Sequence, residues 1–391
     1  MINLVKLSDF RNFKSKTLEF SDKVTLIVGP NATGKTNILE SLFLLSTGRS
    51  FKARVEEEMV NYEKDLARIT GVLSEKTGPV GSSSRSTFLA DAAGAQRDSL
   101  RSRHPSLEAI VTRGLVDIGA DRLEKVARKK LLVNGVPKRM IDFAGNFKVV
   151  LFGPWDMDLV TESPSIRRKF LDNVLSQVDR EYRRSILSYE KGVRQRNRLL
   201  FRIREEGVSR SQLLFWNQLL IKNGDYITQK REEFIGYVNL RPGIQSLTYK
   251  LLYDKSIISE GRLEQYKEEE IAAATTLVGP HRDDFQFQIV SSKSKVERDL
   301  AAYGSRGEQR MGVLWLKMAE LDFIEDKNIE SGTETSSARP TLLLDDIFSE
   351  LDHEHRDIVM EITKNQQTII TTADEHTTVG LKKVEKIELA R

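Results

Sequence analysis

Residues Gly29, Pro30, Asn31, Ala32, Thr33, Gly34, Lys35 and Thr36 follow the order G-x-x-x-x-G-K-[ST], with every fixed position met. Small residues at this spacing let successive backbone N–H groups turn inward around phosphate oxygens. The Lys35 ammonium then reaches the β and γ phosphates, and the Thr36 hydroxyl offers a hard oxygen to Mg²⁺. Asn37 comes next, at the start of a helix whose N-terminal dipole faces the same anion. Far along the chain, the apolar run Thr341-Leu342-Leu343-Leu344 ends in Asp345 and Asp346. A carboxylate closing a buried strand suits the metal that Thr36 serves, and the next one suits the water that attacks the γ-phosphate. Thr36 and Asp345 are therefore the candidate metal ligands, and Lys35 and Asp346 the candidate catalytic residues. A third group, Ser305 and Gly307 within Tyr303-Gly304-Ser305-Arg306-Gly307-Glu308-Gln309-Arg310, opens an amphipathic run from Met311 to Leu321. Ser305 is placed there as an N-cap, which makes a second anion site at a helix start.

These groups need particular elements to hold them. The unbroken apolar run Val24-Thr25-Leu26-Ile27-Val28 predicts a buried strand feeding the phosphate loop, and Asn37 to Leu45 a helix leaving it. Ile2, Leu4 and Leu7 suggest one earlier strand, Leu18 and Phe20 another. Asn134-Gly135 between Lys129–Val133 and Val136–Lys138 is a hairpin signal, and Val149 to Phe152 is a further apolar run. The Gly/Ser-rich stretch from 76 to about 106 reads as a flexible loop or insertion, and the Ser/Thr-rich run at 331–337 as a linker. Beyond Pro164 the pattern turns helical for about a hundred residues. Ile186, Tyr189, Val193, Leu200 and Ile203 recur at helical spacing, and Ser209 and Ser211 can cap a second helix containing Leu213, Leu214, Trp216, Leu219 and Leu220. That predicts two antiparallel helices around a turn near Gly207.

Lys35 and Asp345 stand 310 positions apart, so something large is inserted between the two halves of the nucleotide site. The helical segment is the candidate, and it is also the basic one. From Arg183 to Arg204 it carries Arg183, Arg184, Lys191, Arg194, Arg196, Arg198, Arg202 and Arg204 against the single acid Glu190. A helical face of that density is the footprint of phosphate-backbone contact, which makes Arg183, Arg184, Arg194, Arg196 and Arg198 candidate DNA-binding residues. The net charge of +4 over 391 residues is mild and decides little. Zero cysteines exclude disulfides, thiolate metal sites and cysteine nucleophiles, and suit a reducing cytosol. No export signal or membrane span is evident in the sequence, so a cytoplasmic protein with no membrane partner is expected.

The chain resembles the RecF family of bacterial recombination and repair ATPases, relatives of SMC heads in the ABC ATPase superfamily. Beyond the shared ATPase motifs, the likeness rests on Leu7-Ser8-Asp9-Phe10-Arg11-Asn12-Phe13, Thr47-Gly48-Arg49-Ser50-Phe51 and the run from Ser163 to Asp172. It rests also on Arg194-Gln195-Arg196-Asn197-Arg198-Leu199-Leu200 and Gly279-Pro280-His281-Arg282-Asp283-Asp284. The resemblance implies an α/β fold, an ABC-type, SMC-like P-loop ATPase head with an inserted, mainly helical second lobe. Its segments are expected at 1–160, the N-terminal part of the ATPase lobe; 161–275, the helical lobe; and 276–391, the C-terminal part with signature, Walker B strand and D-loop. It also implies that Ser305 and Gly307 touch the γ-phosphate of ATP held by a second copy, so that ATP and Mg²⁺ drive a homodimer. The family binds double-stranded and gapped DNA and works with RecR and RecO in placing RecA on single strands. Ser349-Glu350-Leu351-Asp352 resembles the D-loop. Thr371 and Thr372 fall where transporter cassettes carry a switch histidine, while His376 lies beyond. Asp346 stands where most relatives use glutamate, which suits a slow, weak DNA-dependent ATPase acting as a switch. Two other readings remain open: a scaffold that binds ATP without hydrolysing it, and the ATPase subunit of a transporter.

Overall fold

The computed structural model describes residues 1–74, 104–117, 123–244, 247–291, 296–330, 339–349, 353–374 and 384–390. Most of the Gly/Ser-rich stretch, the linker at 331–337, D-loop residues 350–352 and His376 lie outside the described residues. The chain packs as two units, Met1–Gly153 with Asn328–Arg391, and Pro154–Lys327.

The first unit contains a parallel sheet and an antiparallel one. The parallel sheet runs β10 (Val149–Phe152), β14 (Thr341–Asp345), β15 (Thr368–Thr372), β3 (Val24–Val28), β16 (Val384–Glu388). Strands β3, β10, β14 and β15 are buried at every position, β3, β10 and β14 largely apolar and β15 carrying three threonines, Thr368, Thr371 and Thr372. Helix α1 (Lys35–Thr47) is buried almost all round instead of along one stripe. It packs on β10, β14 and β15 on one side and on β4 (Leu66–Leu73) and β5 (Ser106–Thr112) on the other. Ile38, Leu39, Leu42, Leu44 and Leu45 are fully enclosed there, each burial contributing about 1.5–3 kcal/mol. The antiparallel sheet has the order β2 (Phe13–Glu19), β1 (Ile2–Phe10), β4, β5, β8 (Lys129–Val133), β9 (Val136–Lys138). At the β8–β9 turn Asn134 and Gly135 have φ of 52° and 76°, the left-handed pair that a two-residue hairpin requires. A smaller antiparallel pair, β6 (Leu115–Asp117) with β7 (Leu123–Lys125), and helices α2 (Met140–Phe143) and α11 (His353–Thr363) also belong to this unit. Buried Gln367 joins its parts with four hydrogen bonds, accepting from Ile2 N and Thr341 Oγ1 and donating to Ile2 O and Ser21 O.

The second unit begins with α3 (Asp158–Thr161) and α4 (Pro164–Val178), then the long antiparallel pair α5 (Arg180–Glu206) and α6 (Leu213–Asn239). Helix α5 is capped by Asp179, whose side chain accepts from Tyr182 N at 2.9 Å, and it ends at Gly207 with φ 66°. Its 27 residues reach about 40 Å. The helical pattern does not continue to residue 275. After α6 comes β11 (Leu247–Asp254), in which buried Tyr249 and Leu251 alternate with exposed Lys250 and Leu252. It pairs antiparallel with β12 (Asp284–Ser291), and β12 with β13 (Glu297–Asp299). Helices α7 (Glu260–Gln265), α8 (Lys267–Ala273), α9 (Leu300–Tyr303) and nearly all of α10 (Arg306–Glu330) belong here too. Residues 276–327, expected from sequence with the C-terminal ATPase segment, therefore pack with the helical hairpin. The cause is the β11–β12 pairing, a long-range contact that periodicity does not reveal.

The stretch Gly279 to Asp284 serves as scaffolding in this unit. Arg231, 1% exposed, donates to Asp283 Oδ2 and Asp172 Oδ1, both at 2.8 Å, and to Pro280 O at 2.6 Å. Tyr253 Oη donates to Asp283 Oδ2 at 2.5 Å. His281 lies 2.8 Å from Tyr189 Oη, and burial lowers its pKa to about 4, so it stays neutral in this network. Among the described residues no helix is long and apolar enough to cross a membrane.

Candidate functional site

In the first unit, β3 delivers the chain into the loop Gly29–Thr36, and α1 carries it away. Gly34 has φ +100°, and a Cβ there would sit 2.6–2.7 Å from Asn12 and Phe13 side-chain atoms. A Cβ on Gly29 would sit 2.6 Å from Leu389 O. Glycine is needed at both positions, once for the left-handed backbone and twice for room. The Lys35 ammonium donates to Gly29 O at 2.6 Å and Pro30 O at 3.0 Å, so it lies over the loop. Burial lowers its pKa, while Asp346 and Asp345 oppose the shift, so both acids act on the same ammonium.

Strand β14 lies two places from β3, with β15 between them. This order brings Thr36 to Asp345 across 309 residues, Thr36 Oγ1 donating to Asp345 Oδ2 at 2.7 Å. The other carboxylate oxygen, Oδ1, accepts from Thr371 Oγ1. Asp345 is buried, whereas Asp346 is half-buried. The chain turns left-handed at Asp346, φ 49°, and its N–H donates to Thr371 O at 3.0 Å. Aspartate tolerates that conformation better than most residues. Thr372 Oγ1 lies 3.5 Å from Asp346 Oδ1. Thr371 and Thr372 thus each face one of the two acids.

Sequence reasoning named Arg11, Asn12 and Ser50 only within the stretches that carry the family likeness and did not foresee that they hold the loop in shape. Asn12, in the turn between β1 and β2, donates to Thr33 O at 3.0 Å and accepts from Asn37 Nδ2 at 2.9 Å. Lys52 donates in turn to Asn37 Oδ1 at 3.1 Å. Beneath them Glu40, wholly buried, accepts from Arg11 Nη2 at 2.6 Å and Nε at 2.9 Å and from Ser50 Oγ at 2.5 Å. A lone acid in the otherwise apolar helix Ile38-Leu39-Glu40-Ser41-Leu42-Phe43 was the available signal, because a buried carboxylate must be paired.

In the second unit, Ser305 and Glu308 form a reciprocal cap at the start of α10. Glu308 N donates to Ser305 Oγ at 3.2 Å, and Ser305 N to Glu308 Oε2 at 2.7 Å. Ser305, Arg306 and Gly307 are all exposed.

The basic segment divides by face. Arg196 is 2% exposed and donates to Glu270 Oε2 at 2.6 Å, Asn217 Oδ1 at 2.8 Å and Thr276 Oγ1 at 3.0 Å. It cannot meet a DNA backbone, which corrects its placement among the DNA-binding candidates. It lies on the inward face of α5 with Leu199, Leu200 and Ile203, and its charge serves the buried Glu270. Arg183 is half-buried and donates to Ser176 O at 2.5 Å, and Arg184 is exposed beside Glu181 at 3.6 Å. Arg194 and Arg198 are exposed and make no hydrogen bond or ion pair with the described residues.

Residues 1–99 match the family model described as RecF/RecN/SMC N terminal domain. The DNA replication and repair protein RecF of Herpetosiphon aurantiacus is 33% identical over 391 residues, covering 95% of this chain and 93% of that protein. Its counterpart in Roseiflexus castenholzii is 32% identical, covering 94% and 92%. The fold is similar to a solved structure of the recombination mediator protein RecF with ATP in the RecFOR pathway. The TM-score is 0.77 and the identity 27%, over 99% of this chain and 95% of that one.

Proposed function

Because the chain belongs to the RecF family, we propose that it is an ATP-gated DNA-binding protein of recombinational repair and replication. ATP lies in the loop from Gly29 to Thr36, with Lys35 on the β and γ phosphates. The residues present fit Mg²⁺: Thr36 Oγ1 and the Asp345 carboxylate are hard oxygen donors already in contact. When bound, the ion neutralises phosphate charge as bond cleavage proceeds. The protein's own work is to hold and orient. Thr371 fixes the Asp345 carboxylate, and the left-handed turn at Asp346 separates the second acid from the first. Asp346 then accepts a proton from the attacking water. Ser305 and Gly307 of a second copy close over the γ-phosphate, so triphosphate favours a homodimer clamped on duplex or gapped DNA, and hydrolysis releases it. The working partners are then RecR and RecO-type mediators and, through them, RecA, in the cytoplasm.

The single observation that carries this reading is the Thr36–Asp345 hydrogen bond, because it brings two distant motifs together where a phosphate and its metal would be held. Asp346→Asn separates a switch from a scaffold. With ATP present, the lifetime of the protein on gapped DNA should lengthen roughly tenfold or more, as a hydrolysis-limited release is blocked. An unchanged lifetime, measured by competitor chase, means that hydrolysis does not govern release.

A further inference from the structure

Helix α5 carries on its outward face one aromatic ring that the core does not use. Phe201 is 50% exposed, and it lines an open groove of about 580 Å³ with Arg194, Asn197, Arg198, Arg202 and Glu206. Positions 194, 198 and 201 recur at helical spacing and share a face. The opposite face, with Leu199, Leu200 and Ile203, is packed. The Arg204 guanidinium stands over one face of the Phe201 ring, 5.4 Å from its centre, held by Glu205 at 2.7 Å and by Ala272 O at 2.9 Å, so a stacked base would use the other face. Arg202 is paired with Glu206 at 2.9 Å. The two cations left for a ligand, Arg194 and Arg198, lie within about 12 Å of helix that also holds the ring.

A duplex backbone satisfies the arginines but presents no flat apolar surface to Phe201, since duplex bases are already stacked on each other. A peptide side chain gains most from enclosure in a pocket, and this groove is open. An unpaired nucleotide supplies both an anion and a flat face, and stacking on an open ring needs no enclosure. We infer that the outward groove of α5 binds an unpaired nucleotide of single-stranded DNA, with the base on Phe201 and neighbouring phosphates on Arg194 and Arg198. The inference rests on reading the chain as a DNA-binding protein and adds a contact that distinguishes single-stranded from duplex DNA.

The test uses the full chain with a slowly hydrolysed ATP analogue and three probes: a blunt duplex, a gapped duplex and a single strand carrying a fluorescent adenine analogue. Phe201→Ala should weaken binding to the single strand and the gapped duplex by roughly tenfold, leaving the blunt duplex unchanged. Phe201→Trp should keep the affinity and deepen the quenching of the base analogue. Phe201 is half-exposed, so neither variant should shift the melting temperature. Equal losses on all three probes, or none, overturn the inference, as does a Phe201→Ala defect confined to an acidic, aromatic-bearing peptide. If Arg194→Ala with Arg198→Ala weakens all three probes while Phe201→Ala alters none, only the stacking contact fails. If the arginine pair also has no effect, the DNA-binding reading of this arm fails with it.

Discussion

Lys35 is the residue on which the proposed nucleotide site depends most. Its side chain is buried, its ammonium is bonded to two loop carbonyls, and it lies in the field of the Asp346 and Asp345 carboxylates. A cation in that setting is matched to an anion that meets several backbone N–H groups together. Methionine has nearly the same length and keeps the packing, so Lys35→Met should fold normally. Nucleotide affinity should fall by roughly a hundredfold or more, as a charge-assisted contact of about 3 kcal/mol is lost. Isothermal titration would check it, and binding within a fewfold of wild type would displace the nucleotide from this loop. The fixed glycines, lysine and threonine were legible because their spacing is local. The supporting roles of Asn12, Arg11, Glu40 and Ser50 were not, because the hydrogen bonds that make them supports cross between separate elements.

At the scale of the element, α5 was readable as a basic amphipathic helix paired with α6, with its turn at Gly207. Periodicity assigns faces only approximately, and it left Arg196 among the surface cations. Position 196 lies on the inward side, one turn before the packed Leu199 and Leu200, and meets Glu270, which has no exposure at all. Neighbouring arginines of one stretch should therefore behave oppositely. Arg196→Ala should cost about 3–5 kcal/mol of stability by leaving a buried carboxylate with one partner fewer, seen as a lowered denaturant midpoint. Arg194→Ala with Arg198→Ala should leave that midpoint unchanged. It should also weaken duplex binding at every sequence and reduce the slope of log affinity against log salt by about 2. An unchanged slope would place the backbone contact on another face.

At the scale of the whole molecule, the proposed nucleotide site and the capped start of α10 lie in different packing units of one chain. The proposed sandwich supplies Ser305 and Gly307 from a second copy, so closing the site and forming the dimer are one event. Ser305→Arg should abolish ATP-dependent dimerisation in sedimentation velocity, with or without gapped DNA, while each monomer binds ATP within about threefold of wild type. A variant that still dimerises with ATP would remove α10 from the interface. By itself the sequence carried the glycine-rich loop, the acid pair and the basic arm, because these depend on residue type and short-range spacing, whereas the α/β class came with the family likeness. The sequence already paired Asp345 with Thr36 as candidate metal ligands, but only the tertiary structure decided that their side chains hydrogen-bond directly, that β11 interrupts the helical lobe to pair with β12, and that Arg196 belongs to the core. Each of these depends on contacts between residues distant in sequence, and such contacts are set by strand pairing and burial, which local pattern does not encode.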